Sequence, residues 1–144
     1  YADFFGAATV AVLPYDQYLR VLQASTVHVY LSVPFVLSWS LLVPAATGCA
    51  LVASDTAPVQ EFVTEGRNGL LADFFSPGQL AARIEELLVR PERRAELGRA
   101  ARASILDRYA LSDLLGRHRA MLEAVAAGGP PGTAPAGDGV TAAG

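Results

Sequence analysis

The chain has 144 residues, 52% of them hydrophobic and 17% charged, with a formal net charge of −3; that is about one domain, long enough to bury a core and too apolar for a disordered polymer. All eleven cationic residues are arginines, and they form no basic face, which argues against a nucleic-acid partner. Cys49 is the sole cysteine, so an internal disulfide is excluded and a reducing, cytoplasmic compartment is expected.

The chain opens at Tyr1 without an initiator methionine or the apolar run of a signal peptide, so a piece of a longer protein is expected. Ala8 to Leu13 reads as a short strand, and Pro14 as the first residue of a helix carrying Tyr18, Leu19 and Leu22 at helical spacing. Val27 to Leu31, VHVYL, is β-branched and aromatic, as suits a buried strand of a parallel sheet. His28 within it is expected to be a strand histidine with a satisfied ring, since no second His or Cys lies nearby.

Pro34 places a loop next. Ser38 or Ser40 then caps a helix running to about Thr47, with Gly48 as its stop. Pro44 falls inside that helix, in or just past its first turn if the cap is near Ser40. Ala50 to Ser54 is the next buried strand. Asp55, Thr56 and Pro58 make a turn, APVQEFV a short helix, and GRNG from Gly66 to Gly69 a tight turn; LLADF follows as a short strand.

Ser76-Pro77-Gly78-Gln79 has the pattern of a capping box with proline at the first helical position. The helix it opens carries Leu80, Ile84, Leu87 and Leu88 on one face. Pro91 stops that helix and starts another, with Leu97, Ala101, Ile105 and Leu106 inward. A last helix places Leu111, Leu114, Leu115, His118, Met121, Leu122 and Val125 three and four apart, which predicts a core-facing terminal helix. From Ala127 to Gly144 the chain is rich in Gly, Pro and Ala and is expected to be a disordered tail; residues 1–126 are taken as the folded domain.

No Asp, Glu, Lys or Arg lies between Arg20 and Asp55, so this stretch is buried either in protein or in lipid. A membrane span needs roughly 20 apolar residues, but Pro34, Pro44 and Gly48 interrupt the run and the flanks lack a positive-inside bias. A protein core is preferred, and membrane contact is not predicted.

Strand, loop, SLLVPAATGCALVASD, a Pro-x-x-Glu turn and an Asn-Gly turn together resemble the C-terminal domain of retaining, nucleotide-sugar-dependent glycosyltransferases of GT-B architecture, the glycosyl transferases group 1 type. That family carries a glutamate, seven residues, then Glu-Ala-Met-Ala-x-Gly-x-Pro-Val-Val-Ala-Ser-Asp. Ala46, Gly48, Val52, Ala53, Ser54, Asp55, Glu61, Asn68, Gly69, Leu70 and Leu71 fall where the pattern asks, and the match extends from about Tyr15 to Tyr109. Arg99, Arg102, Arg108 and Tyr109 also look like the family's end.

The resemblance implies half of a Rossmann-like α/β domain that binds a nucleotide-sugar donor, with an N-terminal acceptor-binding domain missing here and no catalytic residue, cofactor or metal assigned on this chain. Ser38, Trp39 and Ser40, at a helix N-terminus, are the candidate diphosphate contacts. Glu61 is either a contact near the donor or a carboxylate that orders the Asp55 turn. Asp55 and Asn68 are taken as turn formers. The two family glutamates fall on Phe35 and Val43, neither of which can accept a hydrogen bond from a ribose hydroxyl. The alternative is therefore a non-catalytic remnant or interaction module that keeps the fold without a working nucleotide site.

Overall fold

The computed structural model describes residues 12–129. The expected strand at Ala8–Leu13 lies mostly outside them, and Val12 and Leu13 belong to no element. The chain divides into two compact units, one up to Leu106 and the other from Asp107.

In the first unit, helix α1 (Tyr15–Ala24) starts one residue later than expected. Pro14 is its N-cap: the ring supplies a compatible φ, but ψ of 146° is extended, and its carbonyl accepts the first helical bond from the Tyr18 amide at 2.9 Å. Strand β1 (His28–Tyr30) and helix α2 (Trp39–Thr47) follow. Next come strand β2 (Leu51–Ser54), the four-residue helix α3 (Ala57–Gln60) and strand β3 (Leu70–Ala72). Helix α4 (Pro77–Val89) and helix α5 (Pro91–Arg108) complete the series, with the end of α5 passing into the second unit.

The three strands form one parallel sheet in the order β1-β2-β3. Val29 pairs with Val52, and Ala53 with Leu71. Central β2 is fully buried, as an apolar run of this kind requires. Among the described residues strand β1 is at an edge of the sheet, and its middle residue Val29 is 38% exposed, where a buried strand was expected.

One face of the sheet gathers Ala50, Val52, Leu70, Leu87 and Leu97, with Leu80, Ile84 and Val27 against them. Of the expected α4 face, Leu88 is exposed, and on α5 so is Leu106, while Leu97 and Ala101 are buried. The capping box is half formed. Ser76 accepts from the Gln79 amide at 3.4 Å, but the Gln79 side chain accepts from the Asp73 amide at 2.5 Å and does not return to Ser76; the Ser76 amide donates to the Asp73 carbonyl.

Two glycines let α5 reach the sheet. Gly48 ends α2 with φ of 84°, a left-handed cap, and a Cβ built on Gly98 would lie 2.2 Å from the Gly48 carbonyl oxygen. Arg102 adds a bond to the Ala46 carbonyl, a cation at the negative end of α2. Asn68 is buried and holds the GRNG turn: its Oδ1 accepts from the Thr64 amide at 2.7 Å, and its Nδ2 donates to the Phe62 carbonyl at 2.9 Å.

The second unit contains helix α6 (Leu111–Ala126). None of its residues is buried, and Leu111, Leu115 and Leu122 are exposed, which corrects the expectation of a core-facing helix. Spacing defines a stripe but not what covers it. Gly128, with φ of 82°, terminates the helix; the expected tail otherwise lies outside the described residues. Among the described residues no helix is long and apolar enough to cross a membrane.

Gly98→Ala should lower stability by about 3 kcal/mol, because the obstacle is backbone and cannot swing aside. Gly116→Ala, on α6 with open space around it, should instead raise helix stability by about 0.5–1 kcal/mol. Urea unfolding of the two variants checks the contrast.

Candidate functional site

The carboxyl ends of parallel strands are where open α/β sheets receive ligands. At that end of β1 an open cavity of about 580 Å³ is lined by Tyr30, Leu31, Ser32 and the run from Phe35 to Ser40. Three of the predicted contacts, Ser38, Trp39 and Ser40, therefore share one cavity with Phe35. Trp39 is 78% exposed and Phe35 73% exposed, so two aromatic faces stand at its rim.

Ser38, not Ser40, is the N-cap of α2. Its Oγ accepts from the Ser40 amide at 3.2 Å and lies 2.8 Å from the Ser40 hydroxyl. The Ser38 carbonyl takes the Leu41 and Leu42 amides at 3.0 and 3.3 Å. Of the four amides that a helix start leaves open, those of Ser38, Trp39, Ser40 and Leu41, these contacts satisfy two, Ser40 and Leu41; the Leu42 bond is the first regular helical one.

Pro44 sits in the second turn, deeper than a cap near Ser40 implies. Proline has no N–H to give to the residue four before it, which leaves the Ser40 carbonyl without its helical partner. His28 Nε2 lies 3.1 Å from that oxygen. One ring nitrogen is thus satisfied, in part what was expected of a strand histidine. Since a carbonyl only accepts, Nε2 carries the hydrogen.

Burial lowers the His28 pKa, and the bond to Ser40 acts in the opposite direction to a smaller extent. Among the described residues no group of three or more His, Cys, Asp or Glu is placed to hold a metal ion.

Glu61 and Val43 do not line this cavity. Glu61 is exposed at the C-cap of α3. Val43 is half-buried on α2, one turn beyond Trp39 and Ser40. Side chains on a helix lean toward its N-terminus, so a longer residue at 43 would project toward the cavity wall. Asp55 follows the end of β2: its amide donates to the Ala72 carbonyl of β3 at 2.8 Å and its Oδ1 accepts from Gln60 at 2.6 Å.

Sequence reading missed two features of this edge. The buried Ser54 hydroxyl donates to the Ser32 carbonyl at 2.9 Å and accepts the Ser32 amide at 3.0 Å, tying the loop after β1 to the end of β2. Thr56, 8% exposed, has a buried hydroxyl with no hydrogen-bond partner among the described residues. The Ser54–Ser32 pair had no local signal, because it depends on segments meeting at the end of the sheet.

A small parallel sheet with helices on its faces and a capped helix start beside its carboxyl edge defines a Rossmann-like half-domain. The glycosyl transferase-like family profile matches residues 2–121, and the chain belongs to that glycosyltransferase family. It is 32% identical over 104 residues to alpha-maltose-1-phosphate synthase of Mycolicibacterium smegmatis, covering 68% of this chain and 27% of that enzyme.

Sucrose-phosphate synthase from Thermosynechococcus elongatus superposes with a TM-score of 0.75 at 18% identity, over 84% of this chain and 30% of that one. Anabaena HepE in complex with UDP does so with a TM-score of 0.67 at 18% identity, over 73% and 29%. The GT-B fold expected from the motif stands. The chain thus spans less than a third of the length of the relatives it matches.

Two outcomes follow from these geometries. The lowered His28 pKa means that the folded state binds this proton less readily than the unfolded chain. Its contribution to stability is therefore complete above the ordinary imidazole value of about 6.5 and is lost as pH falls through that value toward the lower folded pKa. Melting curves from pH 8 to 5 should show this loss, and His28→Gln should remove that part of the pH dependence. Separately, Thr56→Val keeps the branched shape and removes an unsatisfied hydroxyl, so the melting temperature should rise, by about 1 kcal/mol of stability.

Proposed function

We propose that this chain supplies donor-binding residues of a glycosyltransferase that moves a sugar from a nucleotide diphosphate sugar to an acceptor hydroxyl. The observation that carries the reading is the cavity at the carboxyl end of β1, walled by the capped start of α2. The polar groups of its lining residues include the hydroxyls of Tyr30, Ser32, Ser38 and Ser40 and the Trp39 indole N–H, with no carboxylate or imidazole among them. Such a wall can hold a phosphate or ribose through hydrogen bonds but cannot shuttle a proton at neutral pH. Catalytic groups and acceptor contacts are assigned to parts of the enzyme other than these residues.

The relatives support the same reading. One is named as a maltose-1-phosphate synthase, another as a sucrose-phosphate synthase, and the HepE structure contains UDP. In this reading the diphosphate meets the Trp39 amide and the Ser38 and Ser40 hydroxyls, Trp39 and Phe35 flank the nucleotide, and Glu61 lies outside the first contacts. A soluble, cytoplasmic setting fits a nucleotide-sugar donor and a lone reduced Cys49.

Val43 favours a second reading, that of an interaction module that keeps the fold without a working nucleotide site. It places an apolar side chain where the family's glutamate would accept from a ribose hydroxyl, and Phe35 likewise replaces the other glutamate. Losing one hydrogen bond to a charged acceptor costs about 1.5–3 kcal/mol, or roughly ten- to a hundredfold in affinity.

Calorimetric titration with UDP separates the two. The donor reading expects weak binding by the natural chain, tightened about tenfold or more by Val43→Glu, with a matching rise in melting temperature. No heat and no thermal shift in either variant would establish the interaction module instead.

A further inference from the structure

We propose that His28 is the positioning residue of the nucleotide-sugar site, acting through the Ser40 carbonyl that Pro44 leaves free. The inference rests on the donor-binding reading of the α2 cavity and adds what holds its wall in place. In an uninterrupted helix the amide of residue 44 donates to the carbonyl of residue 40. Pro44 removes that donor, and the carbonyl it releases lies in the first turn of α2, the turn that lines the cavity.

His28 replaces the missing donor from a different element. Its Nε2 lies 3.1 Å from the Ser40 carbonyl oxygen. The backbone of His28 is itself fixed, since its amide donates to the Ala50 carbonyl at 2.9 Å and its Cα pairs with Leu51 in the sheet. The clip therefore runs from the sheet to the ring and then to the helix start.

Ser40 is held by all three of its polar groups: the amide by the Ser38 hydroxyl at 3.2 Å, the hydroxyl by the same group at 2.8 Å and the carbonyl by His28. Only the last contact refers the turn to the sheet. Without it, Ser38 and Ser40 remain bonded to each other, but their distance from the carboxyl end of β1 is set by packing alone. His28 does not itself line the cavity, so its role is exerted through Ser40.

The pairing makes a specific demand that ordinary packing does not. If His28 substitutes for the amide proline lacks, restoring that amide should make His28 dispensable. The test is a cycle of the full chain with His28→Leu, Pro44→Ala and the double variant, plus His28→Gln, which retains a donor at similar reach. Amide hydrogen exchange at Leu41 and Leu42 reads the first turn, and exchange at Val52 and Ala53 reads the sheet.

His28→Leu should speed exchange at Leu41 and Leu42 about tenfold, the loss expected of one neutral hydrogen bond, with little change in the sheet. His28→Gln should recover most of it. In the Pro44→Ala background the same leucine change should matter less than about twofold, and UDP affinity should follow the same pattern across the four chains. Equal effects of His28→Leu in both backgrounds, or loss of protection spread over the sheet, overturn the clip. Coupled exchange without any UDP binding by the natural chain or Val43→Glu overturns the donor reading, and with it the positioning of a donor. UDP binding indifferent to His28 overturns the positioning role alone.

Discussion

Helix α2 contains a proline in its second turn, which leaves the Ser40 carbonyl without its regular helical donor. His28 answers it from β1, which fixes the start of α2 against the sheet. The other end of the same helix is fixed by Gly48 in its left-handed cap, by the close passage of Gly98 and by Arg102 on the Ala46 carbonyl. A nine-residue helix is thereby anchored at both ends, and the cavity lies beside its first turn.

The energetics agree with this division of labour. Apolar burial on Ala50, Val52, Leu70, Leu87 and Leu97 drives the sheet and helices together, and it is non-directional. Direction comes from a few polar contacts: His28 with Ser40, Ser54 with Ser32, and Asn68 with the Thr64 amide and Phe62 carbonyl. Exposed ion pairs such as Arg119 with Glu123 contribute little by comparison. Two of these contacts, His28 with Ser40 and Ser54 with Ser32, hold residues that line the cavity.

Membership of a glycosyltransferase family and an apolar residue at the expected ribose contact lead in different directions. The fold holds a helix start, a serine cap and aromatic side chains at the rim of a cavity. Val43 and Phe35 stand where the resemblance expects acidic acceptors. Family membership and fold therefore fix the class of the protein, and the chemistry of these two positions bears on the proposed donor site.

Local signals carried much of this structure. Ser38 as a cap, Gly48 as a stop, the Asn68-Gly69 turn, the Ser76-Pro77 helix start and the apolar β2 run are each decided by residues within a few positions of one another, so the sequence determines them directly. The motif from Ser40 to Asp55 likewise identified the family and the parallel α/β fold. What lay beyond reach was whatever depends on the partner of a segment. Val29 is half exposed on β1, an edge strand among the described residues, and Leu88 and Leu106 face outward because the apolar stripe of each helix is wider than the surface that covers it. The Gln79 side chain went to Asp73, and the α6 stripe is exposed within its unit. Pro44 announced that a carbonyl would be stranded, but only the tertiary structure decided that His28, sixteen positions earlier in the chain, would donate to it, because which groups meet across a sheet is set by how segments pack and not by their order.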